Sequence, residues 1–188
     1  MRIGVLALQG AFIEHEAMLE KLGAEVFEIR KLSDIGKPFD GLILPGGEST
    51  VQGKLMKSLG LFEPIRSLIE NGLPVMGTCA GMIMLAKHLE GDSTVHLGLM
   101  DITVKRNAYG RQLGSFTAHG NFADCGEIEM PFIRAPYITD AGKDVDVLSR
   151  VNGNIVAARE RNMIALSFHP EVTEDLTVHR YFLGTIPR

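Results

Sequence analysis

The pattern of apolar and polar positions changes texture once along this chain, near Leu89. Before that point, Arg2 to Leu8 (Arg-Ile-Gly-Val-Leu-Ala-Leu) is nearly all apolar, as a strand covered on both faces would be. Phe12 to Leu22 sets Ile13, Ala17 and Leu19 among Glu14, His15, Glu16, Glu20 and Lys21, a helical pattern that Gly23 ends. Glu25 to Arg30, Gly41 to Leu44 and Pro74 to Thr78 read as further strands. Helices are predicted near Val51 to Ser58 and Leu61 to Asn71, with a helix-like stretch from Met82 to Lys87. Alternating strands and helices predict a parallel sheet with helices on both faces.

After Leu89 short strand candidates follow one another, separated by Gly, Asn and Asp. They are Asp101 to Asn107, Ser115 to Ala118, Phe132 to Ala135, Val145 to Arg150, Ile155 to Glu160 and Met163 to Phe168. Asn152-Gly153 between two of them is a hairpin signal, because a primed turn needs residues that tolerate positive φ. Asp175 to Leu183 closes the chain as a helix. No repeat, low-complexity tract or linker interrupts the sequence, so residues 1–188 read as one α/β domain with a β-rich second half.

A domain of 188 residues buries roughly 70% of the surface its unfolded chain exposes, enough for a core without disulfides or metals. No apolar run approaches the ~20 residues needed to cross a membrane, and Ile3 to Leu8 is too short for the apolar segment of a signal peptide. The expectation is a soluble, cytoplasmic protein with no membrane partner. Net charge is −4, from 19 basic and 23 acidic residues that are interspersed, so no basic field exists for nucleic acid. Cys79 and Cys125 lie far apart in unlike contexts, which gives no paired metal-ligand spacing and no redox dithiol. A reduced compartment suits a reactive thiol.

Cys79 is that candidate thiol. It lies in Gly77-Thr78-Cys79-Ala80-Gly81, between the apolar Leu73 to Met76 and the helix-like stretch. A sharp strand-to-helix turn would hold the thiol out at the positive end of the helix dipole, where a thiolate is favoured. A buried structural thiol is the commoner fate of a free cysteine. Ser167-Phe168-His169-Pro170-Glu171 shifts the balance, because residues two apart on an extended segment point to the same side. Glu171 can then accept a hydrogen bond from one nitrogen of His169 and leave the other to take the thiol proton. The acid follows the histidine by two residues, an order unlike that of elbow-type esterases. Leu44-Pro45-Gly46-Gly47-Glu48-Ser49-Thr50 also ends a strand; its glycines can turn a backbone N–H toward an oxyanion, and Ser49 or Thr50 can cap the next helix.

These three segments together resemble a class I, triad-type glutamine amidotransferase domain. That family has a flavodoxin-like fold, a mostly parallel central sheet flanked by helices. Leu6-Ala7-Leu8-Gln9-Gly10, Arg106-Asn107-Ala108-Tyr109-Gly110-Arg111-Gln112 and Phe132-Ile133-Arg134-Ala135-Pro136 narrow the likeness to the glutaminase subunits of pyridoxal 5'-phosphate synthases. The likeness spans essentially the whole chain with no departure at the triad; it is weakest from His119 to Met130.

The resemblance implies hydrolysis of L-glutamine without a cofactor or metal, with the ammonia passed to a separate synthase subunit. Cys79 would be the nucleophile, His169 the general base and then acid, and Glu171 the orienting charge. Gly46, Gly47, Glu48, Arg106, Ile133 and Arg134 would line the glutamine pocket, with Gly47 and Ala80 as oxyanion donors. An Arg fork suits the α-carboxylate of glutamine and Glu48 its α-ammonium. Gln9 and Gly10 would face the synthase. Two rival readings remain: the glutaminase partner of another synthase, such as that making imidazole glycerol phosphate, and a catalytically silent docking subunit. Cys125 reads as a loop thiol, and His15, His88, His96, His119 and His179 as structural or solvated.

Overall fold

Strands that are apolar along their whole length need cover on both faces, and in the computed structural model they form the centre of the molecule. Residues 1–109 and 114–187 are described. The first half runs β1 (Arg2–Leu6), α1 (Phe12–Lys21), β2 (Glu25–Ile29), β3 (Gly41–Leu44), α2 (Ser49–Ser58), α3 (Phe62–Glu70), β4 (Val75–Thr78) and α4 (Ala80–Leu85). The second runs β5 (Ala86–Leu89), β6 (Met100–Lys105), β7 (Ser115–Asn121), β8 (Glu127–Ile133), β9 (Tyr137–Ala141), β10 (Asp146–Val151), β11 (Asn154–Glu160), β12 (Met163–Leu166) and α5 (Thr177–Gly184).

Among the described residues the strands make a ten-stranded sheet, ordered β2-β1-β3-β4-β12-β11-β9-β6-β5 with β10 beside β11, and a separate β7–β8 ribbon. The run β2-β1-β3-β4-β12 is parallel throughout and has the strand order of flavodoxin-like folds. β12 also pairs antiparallel with β11, so the parallel half meets the β-rich half at this strand.

Successive strand residues point to opposite faces, and the core divides accordingly. Leu42, Leu44 and Val75 join Met56 of α2, Ile65 of α3 and Met82 of α4 on one face. Ile3, Val5, Ile43 and Met76 join Leu19 of α1, Phe182 of α5 and Ile128, Met130 and Phe132 of β8 on the other. The expected helices on both faces are present, and the β7–β8 ribbon covers part of the second face.

Several local expectations shift. The stretch from Met82 to Lys87 is helical only to Leu85; Ala86 to Leu89 leave as β5 and pair with β6. The strand placed at Phe132 to Ala135 lies earlier, at Glu127–Ile133, and β9 was not anticipated. In α1 the buried positions are His15, Met18 and Leu19, while Ile13 is 64% exposed. The Asn152-Gly153 turn joins β10 to β11 with φ values of 51° and 82°, the primed-turn geometry expected of that pair. Gly110, Arg111 and Gln112 of the Arg106 to Gln112 segment lie outside the described residues. Among the described residues, no helix is long and apolar enough to cross a membrane.

Candidate active site

The carboxyl ends of adjacent parallel strands gather the chemistry. β4 ends at Thr78 and α4 begins at Ala80, leaving Cys79 in the turn with φ 49° and ψ −97°. A side chain in this left-handed region is strained and persists only where its surroundings enforce it. Here its N–H donates to Leu166 O of β12 at 2.8 Å, and the next turn packs so closely that a Cβ on Gly81 would lie 2.0 Å from Leu44 O. The sharp strand-to-helix turn read from the sequence is thus present.

β12 delivers the second group. His169 donates its backbone N–H to Pro131 O of β8 at 2.8 Å, so the ribbon holds the histidine in place. The Nδ1 of His169 lies 2.7 Å from Glu171 Oε1. The extended geometry expected for this contact is replaced by a 3-10 turn over Pro170–Val172, which brings the two side chains together across its first residues. Burial opposes a proton on His169, but hydrogen bonds to the Cys79 side chain and to Glu171, with the charges of both, outweigh it and raise the imidazole from 6.5 to about 10. Burial likewise opposes ionisation of Glu171, yet the nearby His15 and the bond to His169 hold its carboxyl below 4.5.

The loop after β3 closes over this pair. A Cβ on Gly46 would lie 2.4 Å from His169 Cε1 and 3.5 Å from Cys79 Cβ, so glycine is required for the loop to lie against the histidine ring. The loop is held from behind: Gly46 O accepts from Ala11 N at 3.0 Å, Glu48 N donates to Gln9 Oε1 at 2.7 Å, and Gln52 Nε2 donates to Pro45 O at 3.1 Å. Gln9, placed at the partner face from the sequence, therefore also positions the glycine loop. Neither Ser49 nor Thr50 caps α2: Glu48 occupies the cap position without a side-chain bond, and Ser49 Oγ is buried without a hydrogen-bond partner among the described residues.

One cavity of about 300 Å³, at the small end of the range for small-molecule sites, brings the candidates together. Cys79, His169, Gly46, Gly47, Glu48, Arg106, Ile133 and Arg134 all line it, as do Gln9 and Gly10. Ala80 does not; it is buried directly behind the nucleophile at the start of α4, where a helix's first N–H groups have no partner within the helix. At the mouth Arg134 Nη2 lies 3.4 Å from Glu48 Oε1, and on another wall Arg106 Nη1 lies 3.4 Å from Asp92 Oδ2. A larger hollow of about 630 Å³ between Met1, Leu22 and Leu183 contains no nucleophile or acid–base pair.

Sequence reasoning missed the groups behind the triad. His15 and His179 are fully buried; His15 lies against Glu171 and Thr78 and bonds to His179 behind it. The spacing His15, Met18, Leu19, Leu22 is an inward helical stripe, a signal that places His15 on the covered face of α1. His88 and His119 are exposed, as is Cys125 in the β7–β8 turn.

Comparison with known proteins covers nearly the whole chain. A family model described as the SNO glutamine amidotransferase family matches residues 5–187. A pyridoxal 5'-phosphate synthase subunit PdxT of Methanocorpusculum labreanum is 67% identical over 99% of this chain and 98% of its own length. The PdxT subunit of Desulfitobacterium hafniense is 55% identical over 99% of this chain and 94% of its own. A crystal structure described as a glutamine amidotransferase superposes with a TM-score of 0.92 at 43% identity, covering 97% of each chain.

Proposed function

This chain belongs to the SNO glutamine amidotransferase family, and from that premise we propose that Cys79, His169 and Glu171 perform its chemistry. The activity is hydrolysis of L-glutamine to L-glutamate and ammonia, the glutaminase half of pyridoxal 5'-phosphate synthesis. The observation that carries the assignment is the elbow: a strained Cys79 opens on the same cavity as an imidazole that Glu171 holds at 2.7 Å.

In this reading the glutamine zwitterion enters between Glu48 and Arg134, replacing their mutual contact with one to its α-ammonium and one to its α-carboxylate. Arg106 and Ile133 complete the walls. Cys79, its proton held by His169, attacks the side-chain amide carbon. The carbonyl oxygen becomes an oxyanion held by the N–H groups of Gly47 and Ala80. His169 then gives its proton to the departing ammonia, leaving a glutamyl thioester on Cys79. Water, deprotonated by His169, adds to the thioester carbon, and glutamate leaves as Sγ is released.

Ammonia released into water is protonated and loses its nucleophilicity. The chain therefore works docked on the synthase subunit, with Gln9 and Gly10 at that face. Residues 1–188 act as one glutaminase domain, in the reducing cytoplasm that keeps Cys79 a thiol. The test is glutamate release with and without the pyridoxal 5'-phosphate synthase subunit, alongside labelling by a glutamine-like diazoketone. Stimulation by that subunit and a mass shift abolished by Cys79→Ala are expected. Stimulation by the imidazole glycerol phosphate synthase partner instead, or no labelling even in the complex, would overturn the reading.

A further inference from the structure

Beneath the triad, four segments far apart in sequence close on one sealed polar cluster. His15 comes from α1, Thr78 from the end of β4, Glu171 from the 3-10 turn and His179 from α5. His15, Thr78 and His179 are each 0% exposed. Burying such groups is costly unless they bond to one another. His15 Nε2 lies 3.1 Å from Thr78 Oγ1 and 3.5 Å from Glu171 Oε2, and His15 Nδ1 lies 2.9 Å from His179 Nε2. Glu171 uses Oε1 on His169, while its Oε2 has no hydrogen bond of ordinary length among the described residues.

Counting protons gives this cluster a direction. A neutral imidazole has one N–H. Suppose His15 carried it on Nδ1: it would donate to His179 Nε2, and the proton of His179 would sit on Nδ1, a buried atom with no partner among the described residues. The Nε2 lone pair of His15 would then face the Glu171 carboxylate. With the protons on Nε2 of both rings, His179 donates to His15, and His15 donates toward Thr78 and Glu171. Every buried N–H then has an acceptor, and the leftover group is a lone pair on His179.

Building on the triad assigned above, we propose that His15 is a positioning residue that supports, through Nε2–H, the Glu171 oxygen His169 does not use, with His179 fixing its tautomer. A second donor on the carboxylate keeps Glu171 ionised and turned toward His169, so the proton stays on the imidazole. At 3.5 Å the contact is loose and shared with the Thr78 hydroxyl; catalytic hydrogen bonds often tighten when substrate binds. Thr78 directly precedes the nucleophile, so one cluster braces both ends of the triad.

The experiment compares the wild type, His15→Leu and His15→Gln in the complex with the synthase subunit. Gln retains an N–H near the Nε2 position, and Leu fills similar space without one. His15→Leu is expected to lower kcat for glutamate release about 10- to 100-fold with KM for glutamine within about twofold, and His15→Gln to stay within about threefold of wild type. Equal losses in both variants, or none in either, would overturn the inference. Histidine-selective ¹⁵N NMR of the wild-type chain gives a readout that no substitution can confound: Nε2–H on His15 and His179 is expected, and Nδ1–H on His15 overturns it. A wild-type complex that releases no glutamate counts against the triad itself, whereas the tautomers test His15 alone.

Discussion

At the mouth of the cavity Glu48 and Arg134 face each other at 3.4 Å with side chains 54% and 73% exposed, whereas at its floor Glu171 and His15 meet at 3.5 Å with side chains fully buried. Similar separations mean different things in these two places. In water the mouth pair is screened and worth about 0–1 kcal/mol, so it can be exchanged for a substrate's charges at small cost. At the floor no solvent competes, and a charge without partners there would be strongly destabilising. The mouth is therefore suited to exchange of partners and the floor to a fixed arrangement.

Substitution at the floor gives the largest expected effect. Glu171→Gln retains the size and one acceptor oxygen but removes the charge that favours a proton on His169. A fall in kcat on the order of 100- to 10,000-fold is expected, with His169 titrating lower by NMR. Glutamine turnover within a few fold of wild type would remove the distinction between the fixed floor and the exchangeable mouth.

Arg134→Ala tests the other side. Removing one charge-assisted contact of about 1.5–3 kcal/mol should raise KM for glutamine roughly 10- to 100-fold with kcat far less affected. Because the partner it leaves is Glu48 in solvent, thermal unfolding should move by less than ~1 kcal/mol. A loss confined to kcat would place Arg134 in the fixed machinery and break the contrast.

The sequence exposes the mouth and the triad more readily than the floor, and the reason is physical. Gly-Thr-Cys-Ala-Gly between a continuous apolar run and a helix is a local pattern, and so is Pro-Gly-Gly-Glu after β3. The floor is assembled by tertiary packing of α1 and α5 against β4, and nothing near His15 in sequence names His179 as its partner. The same applies to the fold. β1, β3 and β4 are legible because they are buried on both faces, and β2, at the sheet edge, by its place in the strand–helix alternation. β8 carries Pro131, which argues against an interior strand and is tolerated because the ribbon has only two strands. In β9 a single buried residue, Ile138, is followed by exposed Thr139 and Asp140, too short an alternation to stand out. Ala86 to Leu89 follow good helix formers, but register with β6 decides their conformation.

The smallest effect is on stability against pH, and its sign separates the members of the floor. Burial, with the repulsion that two protonated rings would exert on each other, lowers His179 from 6.5 to about 3; burial likewise lowers His15, despite the opposing charge of Glu171. Both rings are neutral when folded and take up a proton when unfolded, so their contribution is present above 6.5 and lost as pH falls below it, down to about 3 for His179. Glu171, held below 4.5, adds a loss of the same sign at the acid end. His169 has the opposite sign: its contribution is full below 6.5 and fades as pH rises toward about 10. Urea midpoints from pH 4 to 8 should therefore fall on the acid side. His179→Gln, which retains a donor but cannot titrate, should flatten that limb by up to about 1.4 kcal/mol per pH unit, the limit for one proton. An acid limb of unchanged slope would mean that His179 is charged in the folded protein, and that the floor is not the sealed, neutral support that distinguishes it from the mouth.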